Sequence, residues 1–376
     1  MKSKHASFSR RDFLAGTAVT AAALAAASSR PLFAQAGGDK KLGWVLVGIG
    51  SLSKGQLLPA FAKTKNCKLV GIVTGHPQEN AGLAAQHGFP ASSIYTYETY
   101  EKLKDNPDVD VIYIVLPNDM HKEYVVRGSK LGKHVFCEKP MANSPADCQI
   151  MIDAMKASGK KFMIGYRMQY DTATKAAIEV VRDPAFGPIK QIFAECNANR
   201  VNDDPAKVWR INKPQSGGGA LMDMGIYALQ ATRYLSGDEP AQVQAFTYTT
   251  PGIKAFTNIE ETISINLKFK KGAIAQVVSS YGFASHRARV EGNRGGLFLE
   301  PLMNYSGNKV FRVRGNQLTE VPYVPQDHFA TEMDHFADCV INNKEPKTTG
   351  EEGLRDMKII AAAYESAATG KVIELG

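Results

Sequence analysis

The stretch Leu42-Gly43-Trp44-Val45-Leu46-Val47-Gly48-Ile49-Gly50-Ser51-Leu52-Ser53 decides the fold. It begins with a short apolar run that ends in glycine, which is typical of a buried strand. A helical pattern follows at Leu57–Lys63, so Gly48 and Gly50 lie in a strand-to-helix turn. Two glycines allow the backbone to approach a pyrophosphate, which the free N–H groups of the helix N-terminus then hold. The turn therefore predicts a dinucleotide site formed by Gly48, Ile49, Gly50, Ser51 and Leu52, with Ser53 in place of the usual third glycine.

Strand and helix patterns alternate as far as Gly165. Further apolar strands are predicted at Lys68–Val73, Val109–Leu116, Lys133–Cys137 and Lys161–Gly165, separated by helices at Glu79–Gln86, Glu123–Leu131 and Ala146–Ala157. Repeated βαβ units favour a parallel sheet with helices on both faces. Residues 37–165 are therefore predicted to form a doubly wound Rossmann domain.

The pattern changes after about residue 185. Long strands with two-residue alternation are predicted at Ile189–Asn197, Val243–Tyr248, Thr262–Phe269, Ala273–Ser280 and Ala288–Gly292. Two helices, Asp327–Ile341 and Glu351–Thr369, close the chain. Residues 166–376 are therefore predicted to form an α+β domain with a large, mostly antiparallel open sheet.

The first 36 residues have the features of an export signal. Arg10 and Arg11 precede Phe13 and Leu14, an uncharged alanine-rich run follows, and Ala34-Gln35-Ala36 offers a cleavage site. This order is typical of a twin-arginine signal peptide. We expect export to the periplasm by the twin-arginine machinery, which moves folded proteins and so allows a cofactor to be acquired in the cytosol.

Charge and cysteine content exclude several classes of protein. Residues 1–36 contain five basic residues and one acidic residue, so removing them lowers the formal net charge from +8 to +4. Without a clustered basic stripe, this weak bias gives nucleic-acid binding little support. Five dispersed cysteines without a CxxC pair argue against a disulfide framework and a zinc site, so we expect buried thiols and no metal.

The end of the second strand bears on the choice between NAD and NADP. Sites specific for NAD usually place Asp or Glu there to accept a hydrogen bond from the ribose 2′-hydroxyl. This chain has Thr74 and Gly75, with no carboxylate before Glu79. Because a carboxylate would repel a 2′-phosphate, its absence favours NADP, and only His76 stands near to bind the phosphate.

Two further clusters suggest acid–base chemistry. Glu138-Lys139-Pro140 follows the fourth strand, at the sheet edge where ligands bind in such folds. A second cluster, Gly217-Gly218-Gly219 followed by Asp223 and Tyr227, places the last two residues four apart, so on a helix they share one face. Each group alone has an ordinary structural explanation, as a surface lysine or a helix-face pair.

At these residues the chain resembles the glucose–fructose oxidoreductase/inositol dehydrogenase (Gfo/Idh/MocA) superfamily from about Leu42 to the C-terminus. The resemblance rests on an ordered set of motifs: Gly48-x-Gly50, Leu116-Pro117-Asn118 with His121, Glu138-Lys139-Pro140, Gly165-Tyr166-Arg167, Trp209-Arg210 and Asp223-x-Gly225-x-Tyr227. Tyrosine at 227, where many members carry histidine, and the twin-arginine leader look most like the glucose–fructose oxidoreductase branch.

The resemblance implies an enzyme that oxidises one sugar and reduces another with an NADP that stays bound. It implies that Pro117, Asn118, His121 and Glu138 bind the cofactor, with Asn118 and His121 near the nicotinamide end. It also implies that Arg167, Trp209 and Arg210 reach the cofactor or the sugar, and that Tyr166 and Tyr305 stack against the sugar.

The residues themselves fit hydride transfer. Taking hydride from an anomeric carbon requires removal of the proton from its hydroxyl. A phenol ordinarily titrates near pH 10, and a nearby lysine cation stabilises the phenolate. We therefore expect Tyr227 to accept and donate the proton, Lys139 to be its electrostatic partner and Asp223 to position the sugar hydroxyls. The sequence also allows Tyr227 and Lys139 to share or exchange their roles.

Three departures from the branch shape the remaining expectations. Only Gly37–Lys41 separate the cleavage site from the first strand, too little for the long arm that wraps a neighbouring subunit, so a dimer through the open sheet is favoured. Glu79 stands where the branch has a lysine that could hold the 2′-phosphate. The sugar-contacting loops do not match those of the branch residue by residue. The sequence therefore allows either fructose or an aldose as the sugar that is reduced.

Two other functions are open. The first is an NAD(P)-dependent sugar or cyclitol dehydrogenase with exchangeable cofactor, against which export argues because the periplasm offers no free nicotinamide pool. The second is a non-catalytic sugar-binding protein, against which the intact set of Lys139, Asp223 and Tyr227 argues.

Overall fold

A computed structural model describes residues 41–376, so the predicted signal peptide at residues 1–36 lies outside the described residues. The first half of this range forms a six-stranded parallel sheet in the order β3-β2-β1-β4-β5-β6. Its strands are β1 (Leu42–Val47), β2 (Cys67–Val73), β3 (Ile94–Tyr95), β4 (Val111–Ile114), β5 (His134–Glu138) and β6 (Phe162–Gly165). The helices between them are α1 (Leu58–Phe61, entered by a π-helical turn at Ser53–Leu57), α2 (Gly82–His87), α3 (Asn118–Lys130) and α4 (Pro145–Ser158).

The second half forms a nine-stranded sheet in the order β14-β13-β12-β11-β7-β10-β9-β8-β15. Its strands are β7 (Ile189–Cys196), β8 (Pro240–Tyr248), β9 (Thr262–Phe269), β10 (Ile274–Ser280), β11 (His286–Gly292), β12 (Gly296–Leu299), β13 (Val310–Arg314), β14 (Gln317–Glu320) and β15 (Ile373–Glu374). The accompanying helices are α5 (Thr172–Arg182), α6 (Lys213–Ser216), α7 (Ile226–Ser236, entered by a π-helical turn at Leu221–Gly225), α8 (His328–Ile341) and α9 (Gly350–Thr369). All of its strand pairs are antiparallel except β7 with β10, so the predicted fold class is confirmed.

The register of the first sheet gathers the chain segments that follow its strands. Val47 of β1 lies opposite Val73 of β2 and Ile114 of β4. Further along, Glu138 of β5 lies opposite Gly165 of β6. Because parallel strands end at the same edge, the residues after these five of the six strands (β1, β2, β4, β5 and β6) emerge at one edge of the sheet.

Helix α8 returns from the end of the chain to cover the first sheet. The ring of Phe336 stacks on Phe136 at 5.6 Å and meets Trp44 edge-on at 5.9 Å. The Asp334 carboxylate accepts from the main-chain N–H groups of Lys65 and Asn66. The core of the first sheet is therefore completed by residues from the last fifty of the chain.

Several elements were not predicted from the sequence, among them α7 and the strands β12 to β14. Every residue of α7 from Ile226 to Leu235 is buried, so the helix has no solvent-exposed face. The short strands β12 to β14 lie at the sheet edge, and β14 is exposed along its whole length. Neither element carries the alternation of apolar and polar residues on which the prediction depended.

The prediction about the cysteines can be compared with the structure. All five cysteines are buried and free, as predicted. Within residues 41–376, no helix is long and apolar enough to cross a bilayer.

Candidate functional site

A cleft of about 1030 Å³ opens at the carboxyl edge of the first sheet and is closed on its other side by the second half of the chain. Most of the predicted site residues line it: Gly48, Ile49, Gly50, Ser51, Leu52, Thr74, Gly75, Pro117, Asn118, Glu138, Lys139, Arg167, Trp209, Arg210, Asp223, Tyr227 and Tyr305. The glycine turn, the lysine and the phenol therefore share one cavity.

The glycine turn is built so that one side is packed and the other is open. Gly48 has φ +95°, and a Cβ there would lie 2.4 Å from the Val115 carbonyl oxygen. A Cβ on Gly50 would meet no atom within 4 Å. Ser53, at the third fingerprint position, is buried and donates a 2.6 Å hydrogen bond to the Gly48 carbonyl. Gly50 thus leaves open space in the wall that a side chain would fill, which fits the approach of a pyrophosphate.

The end of β2 offers little negative charge to the cleft. The Thr74 hydroxyl is buried and accepts from the His76 main-chain N–H and from Asn80 Nδ2, both at 3.1 Å. Glu79 is exposed, lies 3.5 Å from His76 and does not line the cleft. A 2′-phosphate at this end would face His76 without facing a carboxylate of the lining residues.

Lys139 reaches across the cleft from the loop after β5. Its Nζ donates a 2.7 Å hydrogen bond to the main-chain carbonyl of Asp223 and lies 4.4 Å from the centre of the Tyr227 ring. Burial would lower the pKa of Lys139, but Tyr227 and the carboxylates of Asp223 and Glu138 raise it. The ammonium therefore stays charged over the ring face.

Asp223 lies at the centre of a cluster of cations. Oδ1 is 3.4 Å from Arg210 Nε and 3.6 Å from Lys139 Nζ, while Oδ2 is 3.4 Å from Arg200 Nη2 and accepts from Tyr281 Oη at 3.1 Å. Burial alone would raise the pKa of this carboxyl. The three cations outweigh burial, Lys139 with the largest effect, and hold the pKa of Asp223 well below its usual range. Asp223 therefore remains an anion whose two oxygens both face protein partners.

The Tyr227 phenol is held by a guanidinium. Arg167 Nε donates to Tyr227 Oη at 3.2 Å, and the same guanidinium lies 4.4 Å from the Tyr227 ring centre and 4.8 Å from the Tyr305 ring centre. Tyr227 is buried, whereas Tyr305 is half exposed at the cleft wall. The hydrogen bond that reaches the phenol oxygen thus comes from Arg167, while Lys139 contacts the ring face.

Glu138 is the least accessible of the lining carboxylates. Its Oε1 accepts from Tyr113 Oη at 2.7 Å, and its Oε2 accepts from the Lys139 main-chain N–H at 3.2 Å. Burial raises the pKa of Glu138. Its contacts fix the start of the loop that carries Lys139.

Two predicted site residues do not reach the cleft. His121 is fully buried, with Nδ1 2.9 Å from the Pro140 carbonyl and Nε2 2.9 Å from the Leu116 carbonyl. It joins two cleft-lining loops from behind, which corrects the expectation that it contacts the cofactor. Tyr166 is also fully buried and packs in the main core, so it has no face for the sugar that it was expected to stack against.

The glycine run before Asp223 is fixed by its packing. A Cβ on Gly218 would lie 2.2 Å from Tyr364 Oη, and one on Gly219 would lie 2.1 Å from the Glu260 carbonyl oxygen. The Glu260 carboxylate accepts from the Gly219 and Leu221 main-chain N–H groups and from Tyr364. The run is therefore a closely packed entry to the turn that carries Asp223.

Sequence reasoning missed several residues of the second wall. Arg200, His286 and Asn304 line the cleft, and His286 Nε2 lies 2.8 Å from the Asn197 carbonyl. These residues come from three separate loops or strands with no motif around them. Only the fold brings them together, although a basic residue shortly after β7, Arg200, offered a weak signal.

Comparison with known proteins agrees with the geometry. The model of the Gfo/Idh/MocA oxidoreductase family, NAD-binding Rossmann fold, matches residues 42–166, and the model of its C-terminal alpha/beta domain matches residues 179–375. The crystal structure of aldose–aldose oxidoreductase from Caulobacter crescentus, in complex with glycerol, superposes with a TM-score of 0.86 at 37% identity, covering 89% of this chain and 100% of that one.

Two curated relatives are also similar over nearly their whole length. D-xylose 1-dehydrogenase [NADP(+)] of Haloarcula marismortui is 27% identical over 90% of this chain and 94% of its own. The 1,5-anhydro-D-fructose reductase of Ensifer adhaerens is 24% identical over 88% of this chain and 98% of its own. With both family models matched across most of its length, the chain belongs to the Gfo/Idh/MocA oxidoreductase family.

Proposed function

We propose that this protein is a periplasmic sugar oxidoreductase with tightly bound NADP(H). It oxidises an aldose such as glucose to its aldonolactone and reduces a second sugar, fructose or an aldose, to an alditol. The observation that carries the proposal is the meeting of Lys139, Tyr227 and the glycine turn in one cleft. The likeness to an aldose–aldose oxidoreductase supports the same substrate class.

The residues of the cleft fit a nicotinamide dinucleotide. The turn from Gly48 to Leu52 would hold the pyrophosphate, Thr74, Gly75 and His76 would face the ribose of the adenosine, and Pro117 and Asn118 would flank the nicotinamide. Bound there, the nicotinamide supplies or takes up the hydride. NADP is favoured over NAD because, among residues 41–376, no carboxylate lines the cleft beside Thr74.

The chain's own groups then handle the proton. In the oxidation direction, Tyr227 Oη takes the proton of the anomeric hydroxyl, and in the reduction direction it returns a proton to the alkoxide. The Lys139 ammonium has three N–H donors, one of which donates a hydrogen bond to the Asp223 main-chain carbonyl. Its remaining donors are available to the reacting sugar oxygen, where a cation favours the charge that develops.

The second wall supplies sugar contacts. Since both oxygens of Asp223 already face protein partners, its carboxylate orients Arg200 and Arg210 as well as any hydroxyl it accepts. The ring of Tyr305 is half exposed and offers a surface for stacking. These residues would distinguish one sugar from another, with Trp209 beside them.

One experiment tests the function against its alternatives. The mature chain, residues 37–376, is purified with nothing added, and its absorbance and fluorescence are recorded before and after glucose. We expect a copurified nicotinamide that survives gel filtration, is reduced by glucose and is reoxidised by fructose or an aldose. An apoprotein that turns over only with added NADP would identify an exchangeable dehydrogenase, and absence of turnover across a sugar panel would identify a binding protein.

A single variant tests the chemistry. Tyr227→Phe removes the proton acceptor, so hydride transfer should fall roughly 10²- to 10⁴-fold while the cofactor stays bound. Cofactor content measured by absorbance after gel filtration serves as the control. Full activity in this variant would exclude Tyr227 from the mechanism.

Two proposals concern the partners of the protein. Export is tested by cell fractionation, where replacing both Arg10 and Arg11 with Lys should keep the protein in the cytoplasm.

A homodimer is proposed through the open face of the nine-stranded sheet, where Phe246, Tyr248 and Ile274 are 59%, 60% and 52% exposed. Light scattering of the mature chain should give twice the monomer mass, and Phe246→Lys should give the monomer.

A further inference from the structure

The environment of Arg167 suggests a role that its position in the sequence did not reveal. The residue follows β6, and its side chain is 4% exposed. Its Nη atoms donate to the main-chain carbonyls of Met303 and Asn304, which fixes the plane of the guanidinium. The third edge, Nε, is thereby directed at the phenol oxygen of Tyr227, 3.2 Å away.

The two cations at this phenol act on different atoms. Lys139 Nζ lies over the ring face and is hydrogen-bonded to the Asp223 carbonyl. Arg167 donates directly to Oη, the atom that exchanges a proton with the sugar in the proposed function. A charge-assisted hydrogen bond to an oxygen that becomes negative stabilises it more than a cation above the ring.

We propose that Arg167 is a positioning residue for proton transfer, which aims the Tyr227 oxygen at the substrate and stabilises it as a phenolate. The inference rests on the proposed function. The proton passes between the sugar hydroxyl and Tyr227 Oη as the hydride passes between the sugar carbon and the nicotinamide. Arg167 keeps all its protons in both directions, so it adds no step to the balance.

The same guanidinium connects the phenol to the loop that bears Tyr305. Met303 has φ +70°, a conformation that non-glycine residues seldom adopt, and its carbonyl accepts from Arg167. The centre of the Tyr305 ring lies 4.8 Å from the same guanidinium. Arg167 therefore holds the proton acceptor and the candidate sugar-stacking ring in one fixed arrangement.

The test uses charge-removing and charge-keeping variants with a matched control. Arg167→Gln removes the cation, and Arg167→Lys keeps a charge without the fork. The control is Arg182→Gln, because Arg182 also donates to two main-chain carbonyls, those of Ser236 and Tyr234, but lies outside the cleft.

For Arg167→Gln we expect kcat roughly 10- to 100-fold lower, with the copurified cofactor retained, since the charge-assisted hydrogen bond to the phenol oxygen is lost. The pH at which sugar oxidation reaches half its maximal rate should also move upward, because the phenolate loses a cation. Arg167→Lys should recover part of the rate, and Arg182→Gln should leave the pH profile unchanged.

Besides Arg167, the charged and titratable groups around Tyr227 also affect the pH dependence of sugar oxidation. They are Lys139 after β5, Asp223 on the preceding turn and Tyr305 on the opposite loop. Each is retained in the Arg182 control. A shift seen only in the Arg167 variants therefore reports on the contact with Oη.

A double-mutant cycle separates positioning from a purely structural role. If Arg167 acts through Tyr227 Oη, then Arg167→Gln should cost little further rate in the Tyr227→Phe background. Equal losses in both backgrounds, or an unshifted pH profile in a folded Arg167→Gln, would overturn the inference. A wild-type protein without sugar-dependent cofactor reduction would instead refute the proposed function, so the two failures are distinguishable.

Discussion

Two glycine-rich segments of this protein look alike in sequence and do opposite things in the structure. In the turn at Gly48–Gly50, a Cβ on the second glycine would meet nothing within 4 Å. In the run at Gly217–Gly219, a Cβ on the last glycine would lie 2.1 Å from a main-chain oxygen. The first segment keeps space free for a ligand, whereas the second allows the chain to pack closely before Asp223. Substitutions should therefore separate cofactor affinity from stability.

The largest loss of stability is expected on substitution of Asp223, which follows the second glycine segment. Asp223→Asn would leave Lys139, Arg200 and Arg210 close together without their common anion. Removing one partner of such a buried cluster costs on the order of 3 kcal/mol of stability. Urea unfolding of the wild type and the variant measures the difference, and equal midpoints would show that the cations are compensated elsewhere.

The stability difference between the wild type and Asp223→Asn should also depend on pH. The pKa of Asp223 is held below its usual range in the folded state, so the ionised carboxylate stabilises the fold above the unfolded value of about 4. This contribution is lost as the pH falls from there toward the folded pKa. The difference in unfolding free energy between wild type and Asp223→Asn should therefore be constant near neutral pH and shrink below about pH 4.

The next effect tests the packed glycine directly. Gly219→Ala should cost about 1–3 kcal/mol, because the added methyl group meets the main-chain oxygen of Glu260, which has little room to shift. Gly82→Ala is the control, since a Cβ there meets no atom within 4 Å. Thermal unfolding followed by circular dichroism compares the two, and an unchanged Tm for Gly219→Ala would contradict the packing argument.

The open glycine should behave in the reverse way. Gly50→Val places side-chain atoms in the space proposed for the pyrophosphate, so NADP should bind roughly tenfold or more weakly, a loss of about 1.4 kcal/mol in binding. Stability should change little. Gly55→Val serves as the control, because its Cβ is equally unobstructed but lies outside the cleft. Calorimetric titration of stripped protein measures the affinity, and equal losses in both variants would refute the assignment.

The smallest effect concerns the substituted third glycine of the turn. Ser53→Gly restores the usual fingerprint but removes the buried hydrogen bond to the Gly48 carbonyl. We expect about 1 kcal/mol lower stability and unchanged NADP affinity. Tighter cofactor binding in this variant would mean that the serine hinders the pyrophosphate.

The contrast also shows how far the sequence could predict this site. The first wall was predictable because parallel strands end at one edge, so short motifs such as Gly48-x-Gly50 and Glu138-Lys139 mark the site wherever they occur in the chain. His121 was misplaced because a motif gives proximity to the site but not the direction in which a side chain points. Its ring faces two carbonyls behind the cleft.

The second wall was only partly predictable. Asp223 and Tyr227 share a recognisable spacing, but their partners come from distant elements. Arg200 and Tyr281 follow the adjacent strands β7 and β10, and Arg167 follows β6 of the first sheet. Tyr166 was expected at the sugar and lies in the core. Its neighbour Arg167 lines the cleft instead, because consecutive residues point in different directions after a strand ends.

The return of α8 onto the first sheet has a consequence for biosynthesis. Trp44 emerges from the ribosome early, yet Phe336, which covers it, is made almost three hundred residues later. Until then, the nascent Rossmann half carries an uncovered apolar face and invites chaperone binding. The packing of α8 onto the first sheet is thus completed only after most of the chain has been made. A chain truncated before residue 328 should be synthesised normally but aggregate.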